Sequence, residues 1–255
     1  MRRIGLIGQF LIVATFYLVP SSGEPTWASD RSPCNSETFE GRRYVICEAN
    51  TRVHDVVVAS QKGQKQGGTI GSLLSGMSSA QRSRVAFAMN GGMYEPDFTP
   101  VGLLVEHGEE KAKINTSDGF GNFYWKPNGI FYVTNGVVAI KTTDAYVKAV
   151  PTVEFATQSG PLLVLEGNID TRILSSSSSR NIRNGVGVRD AHTAIFVISE
   201  EPVSFSEFAR LFRDKLRCSD ALYFDGVISE LFAPSANRRD RGGTLGPIVV
   251  VSQRP

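Results

Sequence analysis

The sequence predicts a single α+β domain, a mixed but mostly antiparallel β-sheet with a few helices packed against it. Three observations carry that expectation. Short runs of β-branched and aromatic residues recur along most of the chain, tight-turn signals separate neighbouring runs, and helical periodicity is confined to two segments.

In chain order, strand runs fall at 44–47, 54–59, 85–89 and 101–105. The runs 130–134 and 137–140 flank Asn135-Gly136, a pair that accepts the positive φ of a two-residue hairpin turn. Residues 162–165 lead into the turn Glu166-Gly167-Asn168, and 186–189 and 193–198 form a second hairpin around Asp190-Ala191-His192. Runs at 221–224 and 248–251 complete the set. Hairpins join antiparallel neighbours, hence the antiparallel expectation. The best helix spans 205–216, where Phe205, Phe208, Ala209, Leu211, Phe212 and Leu216 make one apolar stripe. Ser204 is its natural N-cap and Glu207 the capping-box partner. A second helix, over 70–84, is weakened by Gly76. The serines at 175–179 read as a surface loop.

Arg2 and Arg3 precede a short apolar run and then Thr26-Trp27-Ala28, the pattern of a secretory signal. The run is shorter than the roughly 20 residues a spanning helix needs, so no stable membrane insertion is expected after cleavage. Residues 1–28 are therefore read as signal, 29–43 as an N-terminal extension and 44–255 as the domain, destined for the periplasm or the outside. Loss of Arg2, Arg3 and Glu24 with the signal takes the net charge from +2 to +1, which gives nucleic acid no electrostatic footprint. Three cysteines in an oxidising compartment make one disulfide and one leftover thiol. The expected pair is Cys34–Cys47 with Cys218 buried and free; a bridge to Cys218 is the alternative that the spacing leaves open.

Several strand ends carry clusters that a simple hairpin does not need. Met89-Asn90-Gly91-Gly92-Met93-Tyr94 pairs an amide, both donor and acceptor, with glycines that let backbone approach a ligand. It also serves as an ordinary tight turn. In Gln158-Ser159-Gly160-Pro161 the Gly-Pro fixes the chain direction, and the two polar side chains can point to one spot. Arg180-Asn181-Ile182-Arg183-Asn184-Gly185-Val186-Gly187 presents a guanidinium fork suited to phosphate, or else a solvated basic loop. Phe224-Asp225-Gly226-Val227-Ile228-Ser229-Glu230 ends an apolar strand in a carboxylate, which suits proton transfer, sugar hydroxyls or a metal, and is also an ordinary turn. Asn115-Thr116-Ser117-Asp118-Gly119-Phe120-Gly121-Asn122-Phe123 mixes amides, glycines and aromatics in a composition that suits carbohydrate.

Taken in order, Asn90-Gly91-Gly92-Met93-Tyr94, Asn122-Phe123-Tyr124-Trp125-Lys126-Pro127-Asn128-Gly129, Gln158-Ser159-Gly160-Pro161, Arg183-Asn184-Gly185-Val186-Gly187 and Asp225-Gly226 resemble the phosphodiester glycosidase family over residues 44–251. Phe208-Ala209-Arg210-Leu211-Phe212-Arg213-Asp214 has the look of its exported bacterial branch. Animal members uncover mannose 6-phosphate by removing N-acetylglucosamine from a phosphodiester. The resemblance implies a hydrolase that cleaves the glycosidic bond of sugar-1-phosphate diesters in envelope or extracellular glycans. One departure stands out: many members follow the aspartate with three glycines and a serine, whereas this chain reads Asp225-Gly226-Val227-Ile228-Ser229. Val227 and Ile228 are expected to narrow the site or remove a backbone anion nest.

Phosphate leaves as a stabilised anion, so the site needs positive charge at the phosphate and a carboxylate near the anomeric carbon. Arg183 is the candidate for the first, Asp225 for the second as base or oxocarbenium stabiliser. Asn90, Gly91, Ser159, Asn184, Ser229 and Glu230 are the expected substrate-binding residues. No cofactor is called for; an oxygen-ligated calcium or magnesium near Asp225 is the cation chemistry left open. His54, His107 and His192 lie in unrelated contexts and make a histidine-rich zinc site a poor fit. Two other readings compete: a non-catalytic envelope module that binds glycan, and a phosphodiesterase that attacks phosphorus.

Overall fold

The computed structural model describes residues 32–60, 68–149, 151–175, 179–240 and 242–255. The signal read at 1–28 and the centre of the serine tract lie outside the described residues. No helix among the described residues is long and apolar enough to cross a membrane.

Three sheets turn one face each toward a shared core. The six-stranded sheet runs in the order β1 (Cys34–Phe39), β2 (Arg42–Asn50), β12 (Thr193–Ser199), β11 (Asn184–Asp190), β13 (Asp220–Asp225), β10 (Leu162–Val164). A five-stranded sheet runs β15 (Arg238–Arg239), β14 (Leu231–Ala233), β4 (Val85–Asn90), β16 (Ile248–Gln253), β3 (His54–Ala59). The other runs β6 (Glu109–Ala112), β5 (Leu104–Glu106), β9 (Phe155–Ser159), β7 (Gly129–Thr134), β8 (Val137–Thr142). Every strand pairing among the described residues is antiparallel, so the mixed character expected of the sheet is absent there.

The layering follows from the two-residue period of a strand. In β2, Val45 and Cys47 enter the shared core, while Tyr44 and Ile46 face outward; in β12, Phe196 and Ile198 point in, Ile195 and Val197 out. Each outward face is apolar and needs a cover, which the helices supply. α4 (Thr171–Ser175) and α5 (Phe205–Arg210) cover the six-stranded sheet, with Phe205, Phe208 and Phe212 against Tyr44 and Tyr223. α1 (Ile70–Ser75) sets Ile70 and Leu74 on Ala88, Ile248 and Val250. α3 (Thr143–Ala149) brings Tyr146 onto Ile130, Tyr132 and Ala156.

Both expected helices are modified. The one over 70–84 is two: α1 stops at a Gly76 C-cap, and α2 (Ser79–Ser83) restarts from Ser78 with a capping box to Gln81. The one over 205–216 starts from Ser204 and Glu207 as the sequence implies, then widens at Leu211–Lys215 into a π turn.

The segment 29–43, read as an extension, contributes β1 from Cys34 onward. β1 returns into β2 through Glu40 and Gly41, both at positive φ (47° and 73°), the geometry also seen at Asn135-Gly136. Cys34 and Cys47 face each other across this hairpin and are bridged; Cys218 is free and buried, its thiol pushed up to about 12 by desolvation.

Candidate active site

Strand ends from all three sheets meet at one place: Asn90 closes β4, Asn184 opens β11, Asp225 closes β13 and Ser159 closes β9. Beneath the loop that follows Asp225, the two asparagines form a clamp. Asn184 Nδ2 donates to the carbonyl and to the Oδ1 of Asn90, each at 2.9 Å, and its Oδ1 accepts from the Asp225 amide at 3.1 Å. Asn90 Oδ1 accepts from the Glu230 amide at 3.0 Å, and its Nδ2 donates to the Ile228 carbonyl at 2.9 Å. Both residues are completely buried, which such full satisfaction allows. Ser229 Oγ lies within reach of the Ile182 and Asp225 carbonyls. Two braces tie in the third sheet: Thr157 donates to the Gly91 carbonyl at 2.7 Å, and Ser159 to the Phe224 carbonyl at 3.0 Å. Gly91 packs so closely on Val249 that a Cβ would sit 2.7 Å from its side chain.

Held this way, Asp225 is 8% exposed and lines an open cavity of about 410 Å³. Its Oδ1 accepts from the amides of Gly226 (2.6 Å) and Val227 (2.9 Å). Desolvation raises its pKa, and the amides of Val227, Gly226 and Ile228 oppose that rise. Tyr94, Phe120, Asn122, Tyr124 and Val227 are among the other wall residues, and no lysine or arginine among the described residues lines the cavity. Tyr94 donates to the Thr244 carbonyl at 2.7 Å; burial first, then the Asp225 and Glu230 charges, push its hydroxyl up to about 12. The Glu230 carboxyl is raised by burial, its Oε1 accepts from the Gly243 amide, and its Oε2 is buried with no hydrogen-bond partner among the described residues.

The expected roles need three corrections, and strand geometry explains two of them. Neighbours on a strand project to opposite faces. Ser159 faces Phe224, so Gln158 turns the other way, accepting from the amides of Leu103 and Asn115 and donating to Thr143. Asn184 faces the clamp, so Arg183 turns toward the start of α5 and does not line the cavity. Its guanidinium lies 3.7 Å over the Phe205 ring and donates to the Val203 carbonyl, the Ser179 carbonyl and the Tyr223 hydroxyl. It is completely buried, makes no ion pair among the described residues, and is pulled below its ordinary pKa by desolvation. The Tyr223 hydroxyl also meets the Asn122 amide, which does line the cavity. Arg183 thus stands behind the site. The third correction concerns the expected substrate-binding residues: Asn90, Gly91, Ser159, Asn184, Ser229 and Glu230 do not line the cavity, and the amides of Asn90 and Asn184 are committed to the loop rather than turned to a ligand. The wall residues Tyr94, Asn122 and Tyr124 lay within the motifs quoted above, but composition did not single them out as lining. Val227, in place of a glycine, is 91% exposed at the rim, and its amide stays engaged with Asp225. No group of three or more histidine, cysteine, aspartate or glutamate residues able to hold a metal occurs among the described residues.

Residues 83–245 match the phosphodiester glycosidase family. The uncharacterized protein YigE of Escherichia coli K12 is 35% identical over 206 residues, covering 80% of this chain and 79% of that protein. Among solved structures, the catalytic domain of zebrafish N-acetylglucosamine-1-phosphodiester alpha-N-acetylglucosaminidase, auto-inhibited by its pro-peptide, superposes with a TM-score of 0.60 at 12% identity, covering 87% of this chain and 82% of that one. A hypothetical protein from Synechocystis gives 0.54 at 15% identity, covering 87% and 61%. The chain belongs to the phosphodiester glycosidase family, which supports a glycosidase-type hydrolytic function.

Proposed function

We propose that this protein is an exported hydrolase that cleaves the glycosidic bond of sugar-1-phosphate diesters, with Asp225 as its base. The observation that carries this reading is the carboxylate itself: buried, fixed by the amides of its own turn, and opening onto a cavity. Burial makes it a stronger base than a free carboxylate. Water adds to the anomeric carbon as the bond from that carbon to the phosphate oxygen breaks; the bonding pair leaves on phosphate, and the proton of the water passes to Asp225. Phosphate is a good leaving group, so no second carboxylate is needed to protonate it.

Arg183 supplies positive potential from behind. A guanidinium in a low-dielectric wall, with no carboxylate paired to it among the described residues, acts over a longer range than an exposed one. Tyr223 and Asn122 form the polar path from it to the cavity. The basic, apolar N-terminal segment supports export, and the Cys34–Cys47 bridge fits an oxidising compartment.

Hydrolysis in isotopically labelled water tests the reaction. Label in the released sugar is expected. Label in phosphate would instead mean attack at phosphorus, and binding without turnover would mean a glycan-binding module.

A further inference from the structure

The cavity has an outer wall that the proposed chemistry does not use. Large apolar side chains that stand fully in solvent ordinarily occur singly. Here Phe120 is 100% exposed and Val227 is 91% exposed, and both line the cavity that holds Asp225. Met93, Val101 and Ile228 are further apolar residues of its lining. We infer that this wall is an apolar subsite and that the group beyond the phosphate is a hydrocarbon chain rather than a second sugar. The inference rests on the sugar-1-phosphodiester reading and names its substrate class.

Three features favour a chain. Several polar groups of the wall are already engaged, the Tyr94 hydroxyl by Thr244, the Asn122 amide by Tyr223 and Asp225 Oδ1 by its own turn, which leaves Glu95 and Tyr124 as its remaining polar side chains. Aromatic Phe120 alone would suit the face of a sugar ring, whereas branched aliphatic Val227 in the same cavity suits alkyl carbon. Position fits as well. Val227 is two residues from Asp225 and tied to it through its amide, so a group one phosphate away from the reacting carbon falls at the rim. Phe120 sits between Gly119, packed closely on the Tyr124 ring, and Gly121 at φ 93°, and its own ring stands free in solvent at the cavity.

Calorimetry on the purified full chain with methyl, butyl and octyl phosphate tests this independently of any sugar. Full burial of a methylene is worth roughly fourfold in affinity. A partly open subsite should therefore bind octyl phosphate about a hundredfold more tightly than methyl phosphate. The double variant Phe120→Ser, Val227→Ser should lose most of that gain. Both side chains are exposed, so the substitutions leave the core untouched, and circular dichroism checks the fold. Equal affinities across the series, or a gain that persists in the double variant, would overturn the subsite. The labelled-water experiment decides the reaction separately. Octyl preference without turnover would sink the hydrolase reading and keep the subsite; turnover without octyl preference would do the reverse.

Discussion

The inner and outer walls of the cavity are built on opposite principles. The inner wall is Asp225, resting on strand ends from three sheets whose amides, from Asn90 through Asn184 to the Asp225 turn, are satisfied and buried. The outer wall is carried by loops and presents apolar side chains to solvent. The difference separates two tasks. Catalysis demands a carboxylate fixed to within a fraction of an ångström, which only an over-determined network provides. Recognition of an attached group demands surface that can change without disturbing that network.

The comparison can be broken most severely at Asp225. Asp225→Asn should cut turnover by roughly a thousandfold, within the range of a lost general base, while KM moves little. The same change should stabilise the fold at neutral pH. Burial raises the folded pKa above the unfolded one, so the wild type loses stability as pH rises through the folded value, and the amide variant does not. Melting curves across pH check the sign, and the acid limb of kcat/KM should lie above the usual carboxylate value. Asn184→Ala comes next: it strands the Asp225 amide and the Asn90 side chain, and should cost about 4 kcal/mol together with most activity. Denaturant titration and a rate assay read both. Cys34→Ser with Cys47→Ser should lower stability by about 3 kcal/mol, the worth of a bridge over a short loop, without changing KM.

Arg183→Met sharpens the contrast. The thioether keeps apolar contact with Phe205, but the Val203 and Ser179 carbonyls lose their donor, offset in part by removal of an unpaired buried charge; a net loss of about 2 kcal/mol is expected. Because Arg183 acts through Tyr223, kcat should fall more than KM rises. A fork gripping phosphate directly would show the opposite split. Smallest of all, Phe120→Ser should alter unfolding free energy by less than about 0.5 kcal/mol, as befits an exposed wall.

Much of this was legible in the sequence. The Asn135-Gly136 turn, the capping box at Ser204 and the break at Gly76 are local chemistry, and local chemistry is what a sequence displays. β9 was not read, because Phe155-Ala156-Thr157-Gln158-Ser159 is polar where a strand usually is not; its polar side chains are buried as braces between sheets. The motifs do converge on one region, but of the expected site residues only Asp225 lines the cavity. Side-chain direction was the failure. In Gln158-Ser159 and Arg183-Asn184 the two neighbours cannot face one spot, a consequence of the strand period that could have been applied once the strands were placed. The cavity wall depended on where loops lie in space, and only a sign of it, aromatics among glycines at 115–123, was present beforehand.

The Cys34–Cys47 bridge also determines where mechanical load enters the domain. β1 is the outermost strand of its sheet, and a pull on the chain ahead of Ser32 would ordinarily unzip such a strand one rung at a time. The bridge lies at the strand's first residue and joins it covalently to β2, which is itself flanked by β12. Tension therefore bypasses the hairpin and reaches an interior strand, where many rungs resist together. A chain drawn by its leading end would hold its first strand until the interior of the sheet gave way.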